Sequence, residues 1–140
     1  MSIHVGRLKS IFEHSLLKFA TVGVINTLLS ITVIFSLKSM TDISDVMANF
    51  IGYMVGLACS FVLNKQWTFK SIERLTPALL KFLIVFGFSH ALNITVVLAS
   101  INFGVNDYFA HLIGIPFYSI AFYFGCKYFA FTSKHKIEQQ

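Results

Sequence analysis

The chain has 140 residues, of which 56% are hydrophobic and only 12% are charged, and its mean hydropathy is +0.73. A soluble domain of this length has too little interior to bury so much apolar surface, so the composition predicts a single membrane domain over residues 1–140. The net charge of +5 does not indicate nucleic-acid binding, because the basic residues are not clustered with aromatic stacking groups. Anionic membrane lipids are the simpler partner for these charges.

Four windows of the sequence carry no charged residue. They run over residues 19–37, 46–64, 82–106 and 108–126. The first has 19 residues, and at about 1.5 Å per residue this length nearly covers a hydrocarbon core of ~30 Å. The third window is longer, so we expect its helix to end near Ile101 and residues 102–106 to form a turn. The sequence therefore predicts an all-α membrane protein with spans at 19–37, 46–64, 82–101 and 108–126. A polar loop over residues 65–81 joins the second and third spans.

The basic residues predict the orientation of these spans. Lys38 alone lies in the two short turns, whereas ten of the eleven basic residues lie in the tails (1–18 and 127–140) and the central loop. Those ten are Arg7, Lys9, Lys18, Lys65, Lys70, Arg74, Lys81, Lys127, Lys134 and Lys136. Short segments rich in Lys and Arg stay in the cytoplasm. Both termini and the central loop are therefore predicted to be cytoplasmic.

Parts of the chain recur 62 or 63 residues later. Leu-Leu-Lys-Phe at 16–19 returns at 79–82, and the aromatic segment 65–69 corresponds to 127–131. A duplicated two-helix unit predicts a parallel repeat, related by a pseudo-two-fold axis along the membrane normal. Four lysines would then lie at the cytoplasmic boundary as two symmetry-related pairs: Lys18 and Lys81, Lys65 and Lys127. They either fix the topology by snorkelling to the interface or form a rim that binds phosphate.

Polar side chains also fall inside the predicted spans. Asn26, His90 and Asn93 each need a hydrogen-bonding partner in hydrocarbon, either another helix or a substrate. Small and polar residues recur at helical spacing in the first two spans, a pattern typical of close helix packing. They are Gly23, Asn26 or Thr27, and Ser30 in the first span, and Asn49, Gly52, Gly56 and Ser60 in the second. Trp67 is either an interfacial anchor or a ring that stacks on a sugar.

The sequence argues against catalysis. All six acidic residues lie in predicted loops or tails and none makes a convincing acid/base pair. The spacing of His, Cys and carboxylates predicts no metal site, and we expect no cofactor. A small four-helix multidrug exporter is disfavoured as well, because it would carry a proton-coupling carboxylate within a span.

Three segments resemble a known family of small membrane proteins. They are Val-Gly-Val-Ile-Asn-Thr at 22–27, Ser-Phe-Val-Leu-Asn-Lys-Gln-Trp-Thr-Phe at 60–69, and Phe-Ala-Phe at 129–131. Together they are similar to the GtrA-like family of four-helix proteins, over about residues 16–131. The Asn64-Lys65-x-Trp67-Thr-Phe copy matches the family motif, whereas the copy around Lys127 lacks the Asn.

The resemblance implies a role and a substrate class. It implies flipping of a polyprenyl-phosphate-linked sugar across the bacterial cytoplasmic (inner) membrane for cell-surface polysaccharide synthesis. Such a lipid needs cations for its phosphate and hydrogen-bonding groups at depth for its sugar. The candidate substrate-binding residues are Lys18, Asn26, Asn64, Lys65, Trp67, Lys81, His90, Asn93 and Lys127. An alternative is an accessory subunit that positions a membrane glycosyltransferase without moving lipid. Because four short helices enclose little space, the path needs either a lateral groove or a homodimer interface.

The charge distribution generates a topology prediction. Single cysteines at Lys70 and Lys134 should be protected from a membrane-impermeant thiol reagent in intact cells, whereas cysteines at Asp42 and Asn106 should react. Labelling of the central loop from outside would reverse the orientation.

Overall fold

The computed structural model describes the backbone of residues 2–131 and the side chains of residues 13–131. The predicted charges at Arg7, Lys9, Lys134 and Lys136 lie outside the described side chains. The described part folds into four α-helices, α1 (Ser2–Met40), α2 (Asp45–Leu63), α3 (Leu75–Asn102) and α4 (Asp107–Gly125). Each is long and apolar enough to cross a membrane, which confirms the predicted all-helical, four-span class. The chain divides into two compact units, unit 1 (Met1–Lys70) and unit 2 (Ser71–Gln140).

Each unit contains one tight turn that a polar side chain closes. Before α2, the Ser44 hydroxyl accepts a hydrogen bond from the Met47 amide at 3.4 Å. Before α4, the Asn106 side chain accepts one from the Tyr108 amide at 3.0 Å. Both helices then begin with an aspartate, whose charge is favourable beside the positive end of the helix dipole. These caps begin α2 and α4 one residue before the apolar windows at 46 and 108 begin.

The second helix of each unit ends in a π-helical turn. In unit 1 the turn is Asn64–Thr68, closed by a 2.9 Å hydrogen bond from the Phe69 amide to the Asn64 carbonyl. In unit 2 it is Cys126–Ala130, closed by the same bond from Phe131 to Cys126. The helical segment thus continues past Lys65, and α3 already begins at Leu75. The loop between the units is therefore shorter than the predicted 65–81.

Small residues set the distance between the two helices of unit 1. A Cβ placed on Gly56 would collide with the Asn26 and Ser30 side chains, and one on Gly52 would collide with Ile34. Gly52 contacts residues 30 and 34, whereas the later Gly56 contacts the earlier residues 26 and 30, so the two helices are antiparallel. The glycines allow close backbone approach, as small residues commonly do between membrane helices.

Unit 2 is an antiparallel pair as well, with a more aromatic core. Gly114 of α4 faces Asn93 and Val97 of α3, and Gly125 faces Val85. Phe82 is fully buried and packs its ring against Phe122 at 5.4 Å and Phe131 at 5.9 Å between centroids. Aromatic pairs in these tilted arrangements add to the stabilisation from burial.

The packing of unit 2 predicts a stability difference between two glycine substitutions. Gly125→Ala should destabilise the protein by about 1–3 kcal/mol, because the new methyl would overlap Val85, a stiff β-branched residue. Gly87→Ala is the matched control, since a Cβ there meets nothing within 4 Å and alanine favours the helix. Thermal unfolding in detergent measures both. Equal melting temperatures for the two variants would contradict the close α3–α4 contact.

Candidate functional site

Unit 1 presents a cation and an aromatic ring at the end that holds its π-helical turn. The Lys18 ammonium lies 5.5 Å from the centroid of the Trp67 ring, and Trp67 is 41% exposed. The neighbouring Phe19 and Phe69 rings pack with centroids 6.3 Å apart and join α1 to the segment after the turn. A cation–π contact retains the positive charge and leaves N–H donors for an anion. Lys18 and Trp67 are called the Lys18–Trp67 pair below.

Buried polar atoms lie in the π-helical turn beside this pair. Asn64 is only 1% exposed, and its amide nitrogen donates to the Ser60 hydroxyl at 3.2 Å. Among the described residues, the Asn64 Oδ1 and Thr68 Oγ1 atoms are buried without a hydrogen-bond partner. Such atoms cost free energy, and π-helical segments frequently mark functional sites. Lys65 is half-buried in the same turn.

The two candidate lysines of unit 2 contact other side chains. Lys81 forms an ion pair with Glu73 at 3.0 Å. Lys127 donates a hydrogen bond to the Tyr123 hydroxyl at 3.2 Å and lies 5.4 and 5.6 Å from the ring centroids of Tyr123 and Tyr128. The Lys81 charge is therefore largely neutralised within unit 2, in contrast to the Lys18 charge over its ring.

Asn26 lies midway along the first membrane span. It is 13 residues after Glu13 and 14 before Met40, the two ends of that span. Its Oδ1 is buried against Gly56 beside the Ser30 hydroxyl and has no hydrogen-bond partner among the described residues. An amide oxygen in this state is costly in hydrocarbon, so the site favours a hydrogen-bond donor.

The polar candidates of α3 differ in their surroundings. His90 is exposed, with its ring stacked on Phe86 at 6.1 Å between centroids. Asn93 is half-buried beside Gly114. Ser89, which sequence reasoning missed, is fully buried and its hydroxyl has no partner among the described residues. Ser89 lies 63 residues after Asn26, so the repeat offset alone could have marked it as the equivalent buried polar position.

A groove of about 450 Å³ lies between α1 and α2 in unit 1. Besides two isoleucines it is lined by Asn26, Thr27, Ser30, Phe35, Asn49 and Tyr53. The sequence drew attention to Asn26 but assigned no site role to Asn49 or Tyr53, because only the packing of the two helices brings these side chains together. The groove begins one helical turn from the start of α2 and reaches the middle of the span at Asn26. Pockets that hold small ligands usually have volumes of roughly 300–1,000 Å³.

The family profile and the similar proteins agree on one family for this chain. The sequence profile of the GtrA/DPMS transmembrane domain matches residues 18–131. The chain is 30% identical over 79 residues to a bactoprenol-linked glucose translocase of Shigella phage SfX. It is 29% identical over 79 residues to a prophage bactoprenol-linked glucose translocase homolog of Escherichia coli K12. Each match covers 56% of this chain and 62% of the relative. Because the family profile spans nearly the whole chain, this multi-pass membrane protein belongs to the GtrA/DPMS transmembrane domain family.

Proposed function

We propose that the protein moves a polyprenyl-phosphate-linked sugar from the cytoplasmic to the outer leaflet of the bacterial inner membrane. The family and the translocase names of both relatives support this role. The observation that carries it is the arrangement within unit 1. A cation over an exposed aromatic ring lies at one end of a helix pair, and at membrane depth the Asn26 Oδ1 atom has no partner among the described residues, beside a groove with polar lining groups. The chain acts as a translocase without catalysing a covalent step.

The substrate enters from the cytoplasm in this proposal. Both termini and the segment that joins the units are cytoplasmic, as the ten-to-one distribution of basic residues predicts. The Lys18–Trp67 pair and Lys65 then lie at the cytoplasmic boundary, where they also meet anionic lipids. The lysines capture the phosphate through charge-assisted hydrogen bonds, and Trp67 contacts the sugar.

An internal duplication fits this arrangement. Equivalent positions have equivalent environments in the two units: Phe19 packs on Phe69, and Phe82 on Phe131. Gly52 meets residues 30 and 34, and Gly114 meets residues 93 and 97. Both second helices end in π-helical turns. The units differ in their lysines, since Lys81 is paired with Glu73 whereas Lys18 lies over Trp67. The proposal therefore assigns phosphate capture mainly to unit 1.

Reconstitution tests the function directly. The purified protein, incorporated alone into liposomes, should accelerate transbilayer movement of polyprenyl-phosphate-glucose labelled in the sugar. A membrane glycosyltransferase would supply this lipid in the cell but is not needed in the assay. If the purified chain leaves the rate at that of empty liposomes, it is an accessory subunit and the proposal fails.

Asn26 generates the first functional prediction. Asn26→Leu should retain membrane insertion and packing against Gly56, because the side chains of asparagine and leucine are similar in size. Translocation should fall about tenfold, the loss expected for roughly 1.4 kcal/mol of hydrogen bonding. Thr32→Leu is the matched control, since Thr32 is an exposed residue of α1 whose hydroxyl donates to the Leu28 carbonyl at 2.8 Å. Normal transport by Asn26→Leu with altered thermal stability alone would assign Asn26 to helix packing.

The lysines generate the second functional prediction. Lys65→Gln should weaken substrate capture more than Lys127→Gln, because the segment Asn64-Lys65-x-Trp67 resembles the family motif whereas the copy around Lys127 lacks the Asn. The double variant should lose far more than either single variant, since each lysine offers a charge-assisted hydrogen bond to a phosphodiester within its own unit. Translocation is measured at matched expression, with topology checked by cysteine labelling. Wild-type transport by the double variant would leave both lysines as topology determinants only.

A further inference from the structure

The groove of unit 1 lies within the membrane spans of α1 and α2, and its apolar walls carry several polar but uncharged groups. All of its lining side chains are described, and none of them carries a charge. Its lining residues include two amides and three hydroxyls, one of them the phenol of Tyr53, and the aromatic rings of Phe35 and Tyr53. Mostly apolar walls with a few convergent polar groups are typical of small-molecule sites.

Two polar side chains of the groove, Asn49 and Thr27, use a donor within their own helix and offer hydrogen-bond acceptors. The Asn49 amide nitrogen donates to the Asp45 carbonyl at 2.8 Å, so the Asn49 Oδ1 atom remains an acceptor. The Thr27 hydroxyl donates to the Gly23 carbonyl at 3.0 Å, which leaves the lone pairs of its oxygen. Asn26 also lines the groove, although its Oδ1 atom is buried against Gly56, and the hydroxyls of Ser30 and Tyr53 can both donate and accept. A ligand rich in hydroxyl donors fits this set.

Other parts of a lipid fit the groove poorly. A phosphate would meet acceptor oxygens without a cation in the groove, an arrangement that leaves a buried anion uncompensated. An acyl or prenyl chain would leave the amide oxygen of Asn49 without a donor in an apolar environment. The neutral sugar ring is the remaining part of a polyprenyl-phosphate-linked sugar, and its hydroxyls are donors.

We infer that the groove lined by Asn26, Asn49 and Tyr53 is a binding site for the neutral, hydroxyl-bearing sugar ring. The site is distinct from the Lys18–Trp67 pair, because Lys18 precedes Asn26 by eight residues, about 12 Å along a helix. The groove continues from Asn26 toward the turn between α1 and α2. The sugar therefore occupies it after leaving the lysines, during the second half of the crossing. The identity of the lipid rests on the proposed function.

Photo-crosslinking tests occupancy of the groove independently of transport. The photoreactive amino acid p-benzoylphenylalanine replaces either Tyr53, which lines the groove, or Phe50, an exposed aromatic residue of α2 outside it. The full-length protein in liposomes is irradiated with polyprenyl-phosphate-glucose labelled in the glucose. Crosslinking should be about tenfold stronger from position 53 than from position 50. Asn49→Leu in the position-53 protein should reduce it about tenfold, as expected for roughly 1.4 kcal/mol of lost hydrogen bonding. Thr32→Leu should leave it unchanged.

A second lipid identifies which part of the substrate is bound. Polyprenyl phosphate without sugar, labelled in the prenyl chain, should crosslink equally weakly from positions 53 and 50. Strong crosslinking of this lipid from position 53 would mean that the groove binds a prenyl chain and would overturn the inference. Equal crosslinking of the glucosylated lipid from both positions would also overturn it.

Translocation by the same variants separates failure of the inference from failure of the proposed function. If the wild-type protein does not flip the lipid but position 53 still crosslinks the glucose selectively, the sugar site stands and the translocase proposal fails. If the wild-type protein flips the lipid, and Asn49→Leu flips it at the rate of Thr32→Leu, the translocase proposal stands and the sugar site is wrong. The proteins in this assay keep Tyr53, so the bulky photoreactive side chain cannot affect the measured rates.

Discussion

The close approach of α1 and α2 at Gly52 and Gly56 is the constraint on which the arrangement of unit 1 depends. Lipid chains are as apolar as leucine, so helices in a membrane gain little from hydrophobic burial and associate through close packing. Gly56 leaves room for the Asn26 and Ser30 side chains directly against its backbone. The contact that holds the helices together therefore also brings polar groups of α1 to the helix interface at mid-membrane.

Much of the helical fold could be predicted from the sequence because charges mark the membrane boundaries. Asp45 and Asp107 each begin a helix, and the windows that follow them remain helical to the next lysine. The continuation into π-helical turns could not be predicted, because five residues do not reveal whether a hydrogen bond reaches back four or five positions. Asn64 stood out through its motif alone. Its burial and its hydrogen bond to Ser60 depend on that local geometry.

The groove illustrates a second limit of sequence reasoning. The spacing of Asn49, Gly52, Gly56 and Ser60 on α2 indicates a helix face that packs closely, and Gly52, Gly56 and Ser60 are indeed buried. Asn49 belongs to the same stripe but is only half-buried, and it lines the groove with Tyr53 of α2 and residues of α1. Periodicity identifies a face. It does not distinguish positions where the partner helix is in contact from positions where it leaves a space.

The differences between the units have a consequence for the energetics of crossing. An ion pair such as Lys81 with Glu73 is already compensated, so an incoming phosphate must compete with a carboxylate. Lys18 over Trp67 carries no such competitor in that contact, and its charge remains available to an anion. The groove in unit 1 offers acceptors and no cation, so it does not favour the phosphate that the proposed function assigns to the lysine. The proposed capture of charge and the inferred accommodation of hydroxyls are thus assigned to different depths, so that neither site has to bind the whole headgroup.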